Sequence, residues 1–290
     1  MPVSANSLTV KERAIFALDA LPPLSPILQR VIASLAHEDI SFAKVADLIE
    51  KDTVLAGAIL RLVNSPLYGL RATVSSVRHA VSLLGVAELR KAVLGVSGAQ
   101  MWRCLRTPRD WSMRSFNRHA VSVAVLTDLL AQQLPVDNSS SAFVAGLFHD
   151  LGYLLVAMGL PAEYDQILAL NAQEPGRLVE HELAVLETTH AELSGEALAV
   201  WNFPPPIRNA VRYHLQPELD PGANQAEKIA MSRILHCADA YLAPNGTDFS
   251  AKKEEARGGE DVFECLGLGD SLHVALSEFD NEMAAIEPYF

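Results

Sequence analysis

The chain has 290 residues, of which 50% are hydrophobic, with 16 glycines and 16 prolines, so a sizeable core is available and a fibrous or low-complexity chain is excluded. Its 23 basic and 35 acidic residues leave a net charge of −12 without a basic block, which argues against nucleic acid or an anionic membrane as partner. No uninterrupted apolar run reaches the ~18 residues of a spanning helix, the first residues carry charges where a signal peptide needs apolar ones, and Cys104, Cys237 and Cys265 lack any CxxC spacing, so a reducing cytoplasm is expected rather than a disulfide framework.

Residues 1–20 are read as an N-terminal segment and 21–102 as a first helical lobe. Ser41 stands as an N-cap before "FAKVADLIEKD", with Phe42, Val45 and Ile49 on one face. Leu55, Ile59 and Leu62 follow as one stripe at helical spacing. Pro66 should end that helix near Asn64, because the residue before a proline avoids the α region. "SSVRHAVSLLG" reads as a capped helix stopped at Gly85. The polar stretch Arg103–Ser115, with Pro108, separates this lobe from a second one at 116–243, starting near Phe116. Residues 244–290 read as a loop or mobile linker, Pro244–Asp261, before a short helix around Asp270 to Ile286. No period-2 strand and no repeat is found, so the chain reads as all-α.

The second lobe carries polar residues where core is expected. His119 continues the stripe of Val123, Leu126 and Leu130. His149 and Asp150 fall near the end of "SAFVAGLFHDLG", read as a helix apolar on nearly all sides. "THAE" has the form of a capping box that puts His190 in a first helical turn. His214 ends the stripe of Ile207, Ala210 and Val211, and Asp239 lies between Leu235 and Leu242. Each alone has a plain structural explanation, such as a hydrogen-bonded helix end. Six buried polar groups satisfied independently are a larger coincidence than one shared cation. Imidazole and carboxylate together suit iron, manganese, zinc or nickel, one or two ions. His37, His79, His181 and His273 read as surface residues, and His236 is set aside because it could lie in or behind the cluster.

The order His119, His149–Asp150, Asp239 resembles the metal-binding pattern of the HD superfamily of metal-dependent phosphohydrolases. His190 and His214 are similar to the additional ligands of its two-metal members, such as the HD-GYP cyclic-dinucleotide phosphodiesterases. "LPPLSPILQRVIASL", "DTVLAGAILRLVNSPLYG", "VSSVRHAVSLLGVAELRKAVLG" and "ALAVWNFPPPIRNAVRYH" resemble the HDOD domain (HD-related output domain) of bacterial signalling proteins, over about Leu21 to Ala243. The resemblance implies two packed helical bundles and a role in signal transduction, often without catalysis, with a kinase or a cyclic-dinucleotide enzyme as partner.

Three departures from the HD-GYP pattern stand out. Tyr153 occupies the place of a lysine that can protonate a leaving oxygen, Leu215 replaces the second histidine of an "HH" pair, and the GYP element is absent. The resemblance therefore implies a cytoplasmic regulator acting through protein contacts, with a retained metal site at His119, His149, Asp150, His190, His214 and Asp239. The alternative is a phosphodiesterase or nucleotidase in which Asp150 bridges two ions and Arg208 and Arg212 meet phosphate. A third reading makes the six residues hydrogen-bonded relics. Asn64, Ser65, Pro66 and Tyr68 are the candidates for a protein-contact turn, and they read equally well as a helix stop.

Overall fold

A computed structural model describes residues 9–16, 46–47, 49–51, 53–64, 73–85, 107–108, 111–223, 228–243, 249 and 257–286. The described residues are helical, with no strand among them beyond an isolated bridge at Trp111. The all-α expectation is met.

α1 (Val10–Phe16) lies in the N-terminal segment, where the sequence reading placed no element. A capping box starts it: Thr9 N–H donates to the Glu12 carboxylate at 2.8 Å, and Glu12 N–H donates to the Thr9 hydroxyl at 3.1 Å. α2 (Thr53–Val63) ends at Asn64, as Pro66 requires. It buries Leu55, Ile59 and Val63 along one face. The Asn64 amide then clasps the next segment, accepting from Val74 N–H at 2.7 Å and donating to the Val74 carbonyl at 2.8 Å. Residues 77–85 are helical, started by the Ser76 hydroxyl accepting from His79 N–H and closed at Gly85, whose φ is +80°. Ser41, Phe42, Val45, Ser65, Pro66 and Tyr68 lie outside the described residues.

The long helix α3 (Met113–Gln132) begins at an Ser112 N-cap, slightly before the expected Phe116, and it is buried along most of its length. α4 (Ala142–Phe148) crosses it closely, because a Cβ on Gly146 would stand 2.5 Å from Ala124 Cα. α5 (Leu151–Gly159), α6 (Pro161–Gln173) and α7 (Leu178–Leu186) follow, with α1 packed against α5 and α7 and Arg13 paired to Glu163 of α6 at 2.5 Å. α8 (His190–Val200) and α9 (Pro205–Arg212) pack on each other, and α10 (Met231–Leu242) returns onto α3. α11 (Ser271–Ile286) covers α3 from the far side of the chain, at the place expected for the C-terminal helix.

The sequence reading ran one helix through His149 and Asp150. The structure ends α4 at Phe148 and starts α5 at Leu151, so the two residues form the corner between them. The stretch 139–159 is long and apolar enough to cross a membrane by composition, which a count of uninterrupted apolar residues did not register. In its most apolar window, 83% is buried inside the fold, and the His–Asp corner interrupts it, so it is the central core of the bundle.

The Pro244–Asp261 stretch is anchored at its described positions. Phe249 is buried among Trp111 and Phe116, and its carbonyl accepts from Ser112 N–H at 2.7 Å. A 3₁₀ helix, Glu260–Leu266, then packs against α10 and precedes α11.

Candidate metal centre

Helix packing brings the six candidates together. His119 comes from the middle of α3, His149 and Asp150 from the α4–α5 corner, His190 from the first residue of α8, His214 from the turn after α9, and Asp239 from α10. His149 and His214 are fully buried, Asp150 and His190 almost so, and Asp239 is partly buried.

His119 Nε2 lies 3.1 Å from Asp239 Oδ1, 3.4 Å from Asp150 Oδ2 and 3.3 Å from His149 Nε2. His149 Nε2 lies 3.3 Å from Asp150 Oδ2 and 3.4 Å from Asp239 Oδ1, and His190 Nε2 is 3.4 Å from Asp150 Oδ1.

The outer nitrogens fix what the inner ones can be. His149 Nδ1 donates to the Gly146 carbonyl at 2.7 Å, and His214 Nδ1 donates to the Val211 carbonyl at 2.7 Å. A carbonyl only accepts, so in the neutral ring each Nε2 is a bare lone pair aimed inward. His190 Nδ1 is held by Glu182 at 2.9 Å, an arrangement that orients an imidazole and raises its basicity as a ligand. Two bare nitrogens at the His119–His149 separation repel unless a cation or a proton lies between them.

The acceptors are equally exposed to one another. Both Asp150 carboxylate oxygens and His214 Nε2 are buried with no hydrogen-bond partner. An ionised carboxylate in the interior needs compensating positive charge, here from the histidines 3.3–3.4 Å away or from a cation. These orphans and the donor set fit a divalent cation. Three overlapping groups could each hold one: His119, His149 and Asp150; His149, His214 and Asp239; and Asp150, His190 and His214, with ligand atoms in each group within 4.8 Å of one another.

Without a metal, protons must do the balancing. Burial opposes charge on His149, but Asp150 and Asp239 outweigh it and push its pKa up to about 10. The same contest raises His119, through Asp150 and Asp239, and His190, through Glu182 first. Burial, reinforced by His149 and His190, pulls His214 down to about 3. Burial alone would raise Asp150; the surrounding histidines, His149 foremost, hold it well below the ordinary carboxylate range.

Glu182 was missed in the sequence. It is buried and also accepts from His190 N–H at 3.1 Å. Leu178, Glu182 and Leu186 share one helical face and are all buried, and that stripe was the signal available. The expected capping box forms by half: Thr189 accepts from Glu192 N–H, while the Glu192 carboxylate accepts from the Thr188 hydroxyl. The backbone N–H of His190, a first-turn donor that a capping box does not reach, goes to Glu182.

Aromatic rings line one side of the cluster. Tyr153 is buried and stacks on His190 with ring centroids 4.3 Å apart. Phe249 stands 5.8 Å from both the His119 and Tyr153 rings. Gly152 makes the approach of α8 possible, since a Cβ there would lie 2.1 Å from the His190 carbonyl oxygen.

His236 stands behind the cluster, donating from Nδ1 to the His214 carbonyl at 2.7 Å. His181 is buried, not on the surface as expected, because its Nε2 donates to the Glu174 carbonyl at 3.2 Å. His79 and His273 are exposed, and His37 is outside the described residues. Arg212 is paired to Glu196 at 2.5 Å and Arg208 is partly buried; no ion pair joins either to the cluster among the described residues.

A family model for the HDOD domain matches residues 21–217. The chain belongs to the HDOD family. Asp239 lies beyond the matched residues of this HDOD protein, yet completes the cluster. A solved HDOD domain protein of unknown function from Geobacter sulfurreducens is 24% identical, with a TM-score of 0.74 over 96% of this chain and 99% of that one. A structure from Marinobacter aquaeolei VT8, whose name suggests a signal transduction protein, is 21% identical with a TM-score of 0.74 over 95% of this chain and 64% of that one. A third, from Shewanella amazonensis SB2B, whose name suggests a phosphohydrolase, is 21% identical with a TM-score of 0.71 over 94% of this chain and 96% of that one. These likenesses are of fold. An uncharacterized protein of Treponema pallidum (strain Nichols) is 22% identical over 199 residues, and the chain spans 38% of its length.

Proposed function

We propose that this HDOD protein is a cytoplasmic signal-transduction regulator. It acts through a protein partner, such as a kinase or a cyclic-dinucleotide enzyme, and holds one or two divalent transition metals as part of its second helical region. His119, His149, Asp150, His190, His214 and Asp239 are the ligands in this reading. One observation carries it: the orphaned Asp150 carboxylate and the inward lone pairs converge, beside the rings of Tyr153 and Phe249. A bound cation would satisfy the orphans and add its binding free energy to folding. In the same site Tyr153 lies flat on His190 where a hydrolase of the HD-GYP type has a proton-donating lysine.

The alternative is a metal-dependent phosphohydrolase. It is supported by one feature, the presence of Asp150 in two of the three overlapping groups that could hold an ion, since a carboxylate shared in that way could bridge two ions. Elemental analysis of untagged protein purified without chelator, paired with a cyclic di-GMP turnover assay, separates the two. The regulator reading expects bound metal and no turnover. Robust turnover abolished in Asp150→Ala overturns it in favour of the enzyme.

The partner surface is proposed at the stretch from Asn64 to Tyr68. Asn64 itself is committed to the Val74 backbone, so Tyr68 is the residue to test. A folded Tyr68→Ala protein should lose the partner that wild type retains in co-purification. Retention of every partner would remove Tyr68 as a contact residue.

A further inference from the structure

The sequence reading treated the three cysteines as unrelated. The fold brings two of them together: Cys237 Sγ and Cys265 Sγ are 3.5 Å apart. Cys237 is buried on α10, two positions before Asp239, and Cys265 is exposed on the 3₁₀ helix Glu260–Leu266. We infer that these two residues form an oxidisable dithiol, a modification site for hydroperoxides that can be cross-linked reversibly. The inference does not depend on whether the neighbouring cluster holds a metal.

The facing of the two sulfurs is built, not incidental. Phe263 packs on Tyr241 with ring centroids 5.1 Å apart, and Gly258 N–H donates to the Tyr241 carbonyl at 2.7 Å. The Arg257 guanidinium lies over the Tyr241 and Phe279 rings and pairs with Asp280 at 2.8 Å, which ties α11 into the same unit. A disulfide needs sulfurs ~2.05 Å apart, so closure asks for about 1.5 Å of approach. Closure would draw on side-chain rotation and a small shift of the 3₁₀ helix Glu260–Leu266.

The exposure difference assigns the roles. The Cys265 thiolate reaches the oxidant first and attacks one peroxide oxygen. An S–O bond forms, the O–O bond breaks, and the other oxygen leaves as hydroxide, to be protonated to water. The Cys237 sulfur then attacks the sulfenic sulfur of Cys265, the S–S bond forms, and the sulfenic oxygen leaves as a second water with the Cys237 proton. Two thiols are oxidised and one peroxide is reduced. In a reducing compartment the pair rests as thiols, so the cross-link would be transient.

The test uses the full chain carrying Cys104→Ser, so that only this pair can react. The reduced protein is treated with hydrogen peroxide, alkylated and measured by intact mass and non-reducing peptide mapping. The expected result is a mass lower by two hydrogens, no alkylatable thiol, a peptide joining Cys237 to Cys265 within one chain, and full reversal by dithiothreitol. Adding Cys237→Ser should leave Cys265 as a sulfenic acid captured by dimedone. The thermal midpoint should rise on oxidation and return on reduction, because the cross-link constrains the unfolded chain. Thiols that stay alkylatable in the folded protein while the denatured chain oxidises, or cross-links only between chains, would overturn the inference. So would a raised midpoint without the joined peptide.

Discussion

The two helical regions are built from the same kind of helix and differ in what they bury. Among its described residues the first buries only apolar side chains, such as Ile49, Leu55, Ile59, Val63, Val77 and Val81, and keeps its charges outside, with Arg78 beside Asp47 and Glu50. The second buries His119, His149, Asp150, His190, Glu182 and His214 in the middle of its core. The first can be stable on burial alone. The second needs a charge balance at its centre, so its stability should depend on metal and pH, and that of the first region should not.

Asp150→Ala should break this contrast most severely. Metal content should fall from one or two ions to below about a tenth per chain, and stability should drop by about 3–5 kcal/mol, the usual cost of stranding partners of a buried charge. Elemental analysis and urea unfolding measure both. Metal-free wild type that melts like the purified protein would favour the relic reading.

Glu182→Gln should come next. It keeps the shape and removes the charge that orients His190, so metal affinity should fall by ~10–100-fold with the fold intact. Chelator competition reads this. An unchanged affinity would mean that His190 is not a ligand.

pH sharpens the comparison through protons. In metal-free protein His149 is raised from its ordinary 6.5 to about 10, so its stabilisation is complete below 6.5 and is lost as pH rises through that window. His214, lowered to about 3, acts with the opposite sign, adding stability as pH rises from 3 to 6.5. Asp150, held low, contributes above the ordinary carboxylate range and loses that contribution on acidification. The metal-free urea midpoint should therefore peak near neutrality and fall toward pH 10. Added metal should remove the alkaline fall, because deprotonated imidazoles bind it better. A flat profile from pH 6.5 to 10 without metal would contradict the charge balance.

The smallest effect is expected from Ile59→Val in the first region. It should cost ~0.5–1.5 kcal/mol and leave metal content and the alkaline fall unchanged. A change in metal content would show that the two regions are coupled through the core.

The six cluster residues were conspicuous in the sequence because each falls within or next to an otherwise apolar helical segment. Glu182 lies on an apolar stripe too, between Leu178 and Leu186, but glutamate on a helix is read by habit as exposed. Phe249 was hidden by its setting, a charged and glycine-rich stretch whose composition says loop whatever one residue does. The His149–Asp150 corner was not legible at all. No proline or preceding glycine marks it; the break coincides with the packing of Gly152 against α8, which is a tertiary fact. His181 was misread because its partner is a backbone carbonyl, and backbone positions leave no trace in the sequence.

Gly152 offers no atom to a metal, donates only its N–H to the Ser194 hydroxyl at 2.7 Å, and has room for nothing larger than hydrogen beside His190. One added methyl group would push α8 away from α5 and carry the His190 ring out of the cluster. A relative could keep every histidine and aspartate of the set, substitute alanine here, and still have lost the centre. The glycine two places after the aspartate is as much a condition of the cluster as its histidines and aspartates are.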